Sequence, residues 1–291
     1  MTTIQHEFIA IDEGHATLLH VNERDQSKNW IVPIGQPAAR DMQLIGGGKV
    51  LIGHHHGYSE FDIALGRLTK EFKLLEGVTA VRRQPNAHTL IAGVDIKPTK
   101  GVVVLELDAN DQEIARVIFP GDYVRLIRQT NDGTYLMSCN DRIREGRPDG
   151  TYLREFPVEG FYHAWKSLRL PNGNLIVTAG YGAFVVELDA SGKMVRKFGG
   201  KEQMPENLRP FFYAMFQLLP NGNIVLANWQ GHGPGFGNSG VQLMEFNVAG
   251  EMVWSWSKAD LISSLQGVLV LDGLDLAKLH DERAGIMQPL A

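Results

Sequence analysis

The sequence predicts an all-β protein, a six-bladed β-propeller of four-stranded antiparallel blades whose last blade is closed by strands from the N- and C-terminal ends. Three observations predict it: one segment recurs five times, each copy carries two hairpin-turn signals, and the two ends of the chain complete one another. The recurrence decides the architecture, because a period of about 40 to 50 residues is the length of a propeller blade.

The copies follow in order. The first, from Gly46, reads GGGKVLIG and then SEFDIALGRLTKEF; the second, from Pro85, reads PNAHTLIAG and then VVLELDANDQEIARVI. The third, from Asn131, reads NDGTYLMSC and then RIREGRPDGTYLREF. The last two nearly superimpose: LPNGNLIVTAG with FVVELDASGKMVRKF from Leu170 to Phe198, and LPNGNIVLANW with VQLMEFNVAGEMVWSW from Leu219 to Trp256. Their first turn residues, Gly47, Asn86, Asp132, Asn172 and Asn221, stand 39, 46, 40 and 49 residues apart. Each copy therefore holds a pair of hairpins: Asn-Gly or an equivalent, then Asp-x-x-Gly, supplies the positive φ of a tight turn. Alternation such as Val186 and Leu188 against Glu187 and Asp189 gives each strand a face to bury.

The ends fit together. Thr17 to Ile34, TLLHVNERDQSKNWIVPI, has an outer-hairpin pattern, and Asp260 to Gly273, DLISSLQGVLVLDG, has inner-strand character. Joined, they form a sixth blade and remove exposed strand edges. The expected organisation is a single domain over 1–291, with blades near 36–77, 78–122, 123–160, 161–208 and 209–259, and a sixth from 260–291 plus 1–35. Residues 274–291 are expected to be a short tail with one helical turn.

The LPNGN hairpin followed by ELDxxG resembles the repeats of the arylsulfotransferase-like, PQQ-like and NHL-type propellers, over nearly the whole chain. That resemblance implies architecture rather than activity, because such folds host lyases, lactonases, transferases and binding scaffolds. The chain is too short for the additional domain of the arylsulfotransferases. It also lacks the tryptophan-docking repeat of the quinoprotein dehydrogenases, so no PQQ is expected.

Composition narrows the partners. With 28 Lys+Arg against 33 Asp+Glu the net charge is -5, which offers no basic field to a phosphate backbone, so nucleic acid is not expected. The single cysteine, Cys139, permits no intramolecular disulfide. No stretch approaches the roughly 20 apolar residues that span a bilayer. The N-terminus, MTTIQHEFIAIDEG, has no basic segment leading into a long apolar one, so a cytoplasmic location away from membranes is expected.

Strand order decides which loops meet. The start of each innermost strand and the end of the second lie at the same rim, and that rim collects His54, His55 and His56, then Asn140 and Asp141, His163, Tyr181, and Asn228 to His232. Three imidazoles from separate blades, His55, His163 and His232, are the expected ligands of a divalent metal, with manganese, zinc, iron and calcium undistinguished. The competing uses are His163 or His232 as general acid or base without a metal, and plain polar lining. Arg40, Arg125 and Lys166 begin inner strands and are expected to reach one funnel, Arg125 orienting an anionic group. Trp229 and Tyr181, with Asn228, Gln230, Asp141 and Arg40, are the expected substrate contacts, an aromatic platform beside hydrogen-bonding groups.

The expectation is a small-molecule site with metal-assisted lyase or hydrolase chemistry on a carbohydrate-derived or other polar substrate. Its alternative is a non-catalytic propeller that holds a ligand or a protein partner.

Overall fold

The computed structural model describes residues 3–121 and 123–290. Six four-stranded antiparallel sheets form the blades of a propeller. Blade 1 is Asp41–Gly46, Lys49–His54, Gly57–Asp62 and Arg67–Phe72; blade 2 is Val78–Arg83, Thr89–Val94, Val102–Leu107 and Glu113–Phe119. Blade 3 is Ile127–Gln129, Tyr135–Ser138, Arg142–Gly146 and Tyr152–Pro157; blade 4 is Ser167–Arg169, Leu175–Thr178, Val185–Leu188 and Met194–Phe198. Blade 5 is Phe212–Leu218, Ile224–Trp229, Leu243–Phe246 and Met252–Trp256. Helical structure among the described residues is confined to two short 3-10 turns, Gln26–Lys28 and Glu206–Leu208, and no helix is long or apolar enough to cross a membrane.

Burial follows radial position. The innermost strand Phe212–Leu218 is buried along its whole length, because blades pack against both of its faces. Outermost strands are largely exposed but end in a buried aromatic: Phe72, Phe119, Phe156, Phe198 and Trp256 recur at equivalent positions and seal neighbouring blades. The LPNGN turns place Gly173 and Gly222 at φ +85° and +84°, which explains glycine there.

Closure of blade 6 is more lopsided than the sequence suggests. Leu265–Val270 supplies the innermost strand alone, and the N-terminal segment supplies the other three, Glu7–Asp12, Thr17–Asn22 and Trp30–Pro33. Phe8 pairs with Val270 and Ala10 with Val268. EFIAID escapes a pattern reading because it is buried at five of six positions and so shows no alternation.

The tail holds no helical turn among its described residues. Gly47 and Gly48, in the lower turn of blade 1, donate to the Ala277 and Leu276 carbonyls, and His280–Asp281 pairs with Gln288–Pro289. The tail thereby carries Glu282 into a buried ionic cluster at the lower end of the molecule. Glu282 meets Lys166 of blade 4 (2.5 Å), Arg128 of blade 3 (3.1 Å) and Arg82 of blade 2 (3.3 Å). Both arginines also hold Asp41 of blade 1, at 2.8 and 3.1 Å. Lys166 therefore does not join Arg40 and Arg125 in the upper funnel; its ammonium is held below by Glu282 and the Phe216 carbonyl.

Candidate functional site

At the upper rim a cavity of about 230 Å³ opens over the channel. Six residues singled out from the sequence line it together: Arg40, Arg125, His163, Tyr181, Trp229 and His232. Glu13, Ala38, Trp165, Phe212 and Gln266 complete the wall. Burial sets the depth: Trp165 (1% exposed), Trp229 and Phe212 lie deep, while His232 stands at the mouth with its side chain 76% exposed.

The backbone at His163 is unusual. Its φ is +59°, the left-handed region that a residue with a Cβ rarely adopts outside constrained sites. Its N–H donates to Asn140 Oδ1 at 3.1 Å, and its carbonyl passes so close to Gly180 that a Cβ there would lie 2.2 Å from the oxygen. Two neighbouring segments thus hold the imidazole. The Tyr123 hydroxyl meets His163 Nδ1 and in turn accepts from Arg125 Nε. Burial and then the Arg125 charge lower the His163 pKa, so the ring is neutral at pH 7. A neutral ring accepting at Nδ1 carries its proton on Nε2, ready to be donated.

His232 is arranged the opposite way. Its Nδ1 donates to Glu13 Oε1 at 2.8 Å, while Trp229 Nε1 donates to Glu13 Oε2 at 3.1 Å, leaving Nε2 of His232 free to accept a proton. The indole of Trp229 packs edge-on against this ring, 4.6 Å between centroids. Glu13 falls in the turn after the first N-terminal strand, and only closure of blade 6 brings it here.

The guanidiniums make the cavity electropositive. Arg125 lies over the Trp165 ring, 5.3 Å from its centroid, and neither Arg125 nor Arg40 has a carboxylate partner within salt-bridge distance among the described residues. Burial, then the like charge of Arg125, pushes Arg40 down to about 10. An anion between them would relieve that repulsion.

Three of the expected contacts lie elsewhere. Asn228 is fully buried and its amide bonds the backbone of Phe211, Arg209 and Val241; Gln230 donates to the Arg209 carbonyl. They flank Trp229, and strand alternation turns them away from the face that Trp229 presents to the cavity. Asp141 pairs with Arg142 at 2.8 Å in a separate cleft of about 150 Å³. His55 is also outside the cavity, packed edge-on against His56 in a two-residue turn between Lys49–His54 and Gly57–Asp62. So short a turn ends at the strand tips and does not reach the axis, so His55, His163 and His232 are not brought together. Among the described residues no group of three or more His, Cys, Asp or Glu side chains is arranged to hold a metal ion.

An open groove of about 610 Å³ between the outer strands of blades 5 and 6 is larger. Its histidine, His20, is committed on both nitrogens, to the Lys28 carbonyl and to Glu7, so the groove lacks the available imidazoles of the rim cavity.

No family model matches the sequence, and no curated protein matches it either. Solved structures do resemble it in fold. A protein of unknown function from Bacteroides caccae superposes with a TM-score of 0.73 at 20% identity, over 92% of this chain and 99% of that one. Virginiamycin B lyase from Staphylococcus aureus, in a catalytically inactive histidine-to-alanine form with quinupristin, gives 0.57 at 10% identity over 88% and 85%. A streptogramin B lyase gives 0.55 at 12% over 88% and 86%. At such identities the likeness is one of fold.

Proposed function

We propose that the rim cavity is the active site of a lyase-type enzyme that binds a small polar anion and eliminates a leaving group from it. The observation that carries this reading is the meeting, in one cavity, of two guanidiniums without carboxylate partners among the described residues and two imidazoles held in complementary proton states. Arg40 and Arg125 hold the carboxylate of the substrate and stabilise negative charge as it develops on it. His232 Nε2 removes the proton from the adjacent carbon, Glu13 stabilising the imidazolium that results. The electron pair of that C–H bond forms the new double bond, and the leaving group departs with the proton of His163 Nε2 while Nδ1 takes the hydroxyl proton of Tyr123, so the ring stays neutral and Arg125 faces the resulting phenolate. Solvent then returns a proton to His163 Nε2 as Nδ1 gives its proton back to Tyr123, and takes the proton from His232, so the cycle closes without an oxidant or reductant. Tyr181 and Trp229 stack on the remainder of the substrate, which suits a carbohydrate-derived acid. Two of the propellers that share the fold are described as lyases, which agrees with the assignment without determining it.

The test uses a panel of carboxylic acids and uronate glycosides in D2O. Proton magnetic resonance reads exchange at the carbon beside the carboxylate, and ultraviolet absorbance reads the conjugated product. His232→Ala and His163→Ala are each expected to lower turnover by about 10²- to 10⁴-fold, and Arg40→Gln to raise KM. Anion binding by the wild type with neither exchange nor product overturns the enzymatic reading in favour of a binding propeller. Full activity in both histidine variants overturns the assignment of roles.

A further inference from the structure

Among the described residues, Tyr162 is the one Phe, Trp or Tyr side chain that stands open to solvent: it is 55% exposed, and every other is buried or half-buried. It directly precedes His163, its ring lying 4.5 Å from the imidazole and 5.4 Å from the ring of Tyr181, centroid to centroid. Both of those residues line the rim cavity and Tyr162 does not, so its ring extends the aromatic wall beyond the cavity, on the side of the proposed acid. The backbone fixes it there. Tyr162 N–H donates to the Ala179 carbonyl at 3.4 Å, and Tyr181 N–H donates to the Tyr162 carbonyl at 2.9 Å. A phenol ring so placed leaves apolar area in water that a ligand can cover.

The size of the cavity decides what that ring can serve. About 230 Å³ is below the roughly 300–1,000 Å³ of pockets that enclose a whole drug-sized ligand, so the cavity takes one sugar-sized ring and whatever is joined to it extends past the mouth. The leaving group is joined on the side of the proton donor, since its oxygen must come within about 3 Å of His163 Nε2. The rings of Tyr162 and Tyr181 flank that imidazole, at 4.5 and 5.8 Å, so a substituent on the oxygen emerges beside them. A bare hydroxyl or a methoxy group would leave the Tyr162 face uncovered. A second sugar ring covers it with its C–H face and keeps its own hydroxyls in water, as a surface open to solvent requires.

We infer that Tyr162 forms the leaving-group subsite of the proposed reaction and that the group it receives is a second sugar unit, so that the substrate is a hexuronate glycosylated on O4 rather than a lone acid. This rests on the elimination reading given above and names its substrate class. The bond that breaks joins the β-carbon of the uronate to the bridging oxygen. That oxygen keeps the electron pair, takes the proton of His163 Nε2 and leaves as the anomeric hydroxyl of the second sugar. The uronate keeps the new double bond, and nothing is oxidised or reduced overall.

Kinetics with two methyl glycosides of glucuronic acid test it, read by the ultraviolet absorbance of the conjugated product. One carries a galactopyranosyl unit on O4. The other carries a trifluoroethyl group there, whose alcohol is nearly as acidic as a sugar's anomeric hydroxyl, so the two groups leave with similar intrinsic ease. The full-length wild type is expected to favour the galactosyl compound by about tenfold or more in kcat/KM. In Tyr162→Ala that preference should fall by about tenfold, whereas Tyr162→Phe, which keeps the ring, should hold it within about twofold. A merely structural defect would slow both substrates together and leave their ratio as it was. Equal kcat/KM in the wild type, or a preference for the trifluoroethyl compound, overturns the subsite and leaves the lyase reading standing. So does a preference that survives Tyr162→Ala intact. Turnover of neither compound overturns the lyase reading and the subsite with it. The wild-type preference requires no variant, so a Tyr162→Ala chain that fails to fold does not blunt the test.

Discussion

The ammonium of Lys166 lies 2.5 Å from Glu282 Oε1, a contact between blade 4 and the tail that crosses the lower mouth of the propeller. Burial drives Lys166 down to about 7 against the pull of that carboxylate. Burial also works against the Glu282 charge, but Lys166, Arg128 and Arg82 outweigh it and hold the carboxyl at about 2. Its pKa is therefore depressed below the unfolded 4.5, so the stability it contributes is complete above pH 4.5 and is lost as pH falls toward 2. Glu282→Gln is expected to destabilise the protein by about 3–5 kcal/mol at neutral pH, because three buried cations lose a shared counter-ion. Urea unfolding at pH 7 and pH 3 should find the gap between wild type and variant narrowing in acid; an unchanged gap would contradict the assignment.

His6 makes the opposite pH prediction. Burial opposes its charge, but bonds to Asp272 and Glu245 prevail and raise its pKa to about 9. The raised value means stability is fully present below the unfolded 6.5 and is lost as pH rises through 9. The unfolding free-energy difference between wild type and His6→Gln should shrink by up to about 3 kcal/mol between pH 6 and pH 10. A difference independent of pH would show that the imidazole is not charged in the fold.

Gly180→Ala should damage the site as well as the fold. A Cβ there meets the Tyr162 and His163 carbonyl oxygens at 2.3 and 2.2 Å, both of them backbone, and glycine's φ is +61°. The expected loss is about 2 kcal/mol or more in denaturant unfolding, accompanied by weaker anion binding as His163 is displaced. Wild-type stability in this variant would argue that the segment is free to move.

Tyr123 sets the tautomer of His163. Nitrogen-15 spectra at pH 7 should find His163 neutral with its proton on Nε2, and titration should protonate it below pH 6.5, because burial and Arg125 both lower its pKa. In Tyr123→Phe the Nδ1–H form should gain population. A dominant Nδ1–H tautomer in the wild type would reverse the proposed acid role.

The fold was legible because turn chemistry repeats: five copies of a hairpin pair leave little choice of architecture, and the buried aromatic ending each outer strand is visible once the copies are aligned. The rim was legible through strand direction, which grouped Arg40, Arg125, His163, Tyr181, Trp229 and His232 correctly. Direction along a strand does not report distance from the axis, and there the reading of His55 failed. It does not report facing either, which decided Asn228 and Gln230 against Trp229. Glu13 and Gln266 were out of reach for another reason: each lies on the closing blade and joins the cavity only through pairing between segments more than 250 residues apart, such as Ala10 with Val268.

That pairing gives the protein a timetable. During synthesis blades 1 to 5 can each complete their four strands as the chain emerges, but Glu7–Asp12 has no inner neighbour until Leu265–Val270 has been made. Among the strands of the ring, the earliest made therefore waits for the last long one. Meanwhile EFIAID, four apolar residues between two acidic ones, presents an open edge to other nascent chains, and in the cell the hazard of misassembly falls on this interval more than on the finished ring.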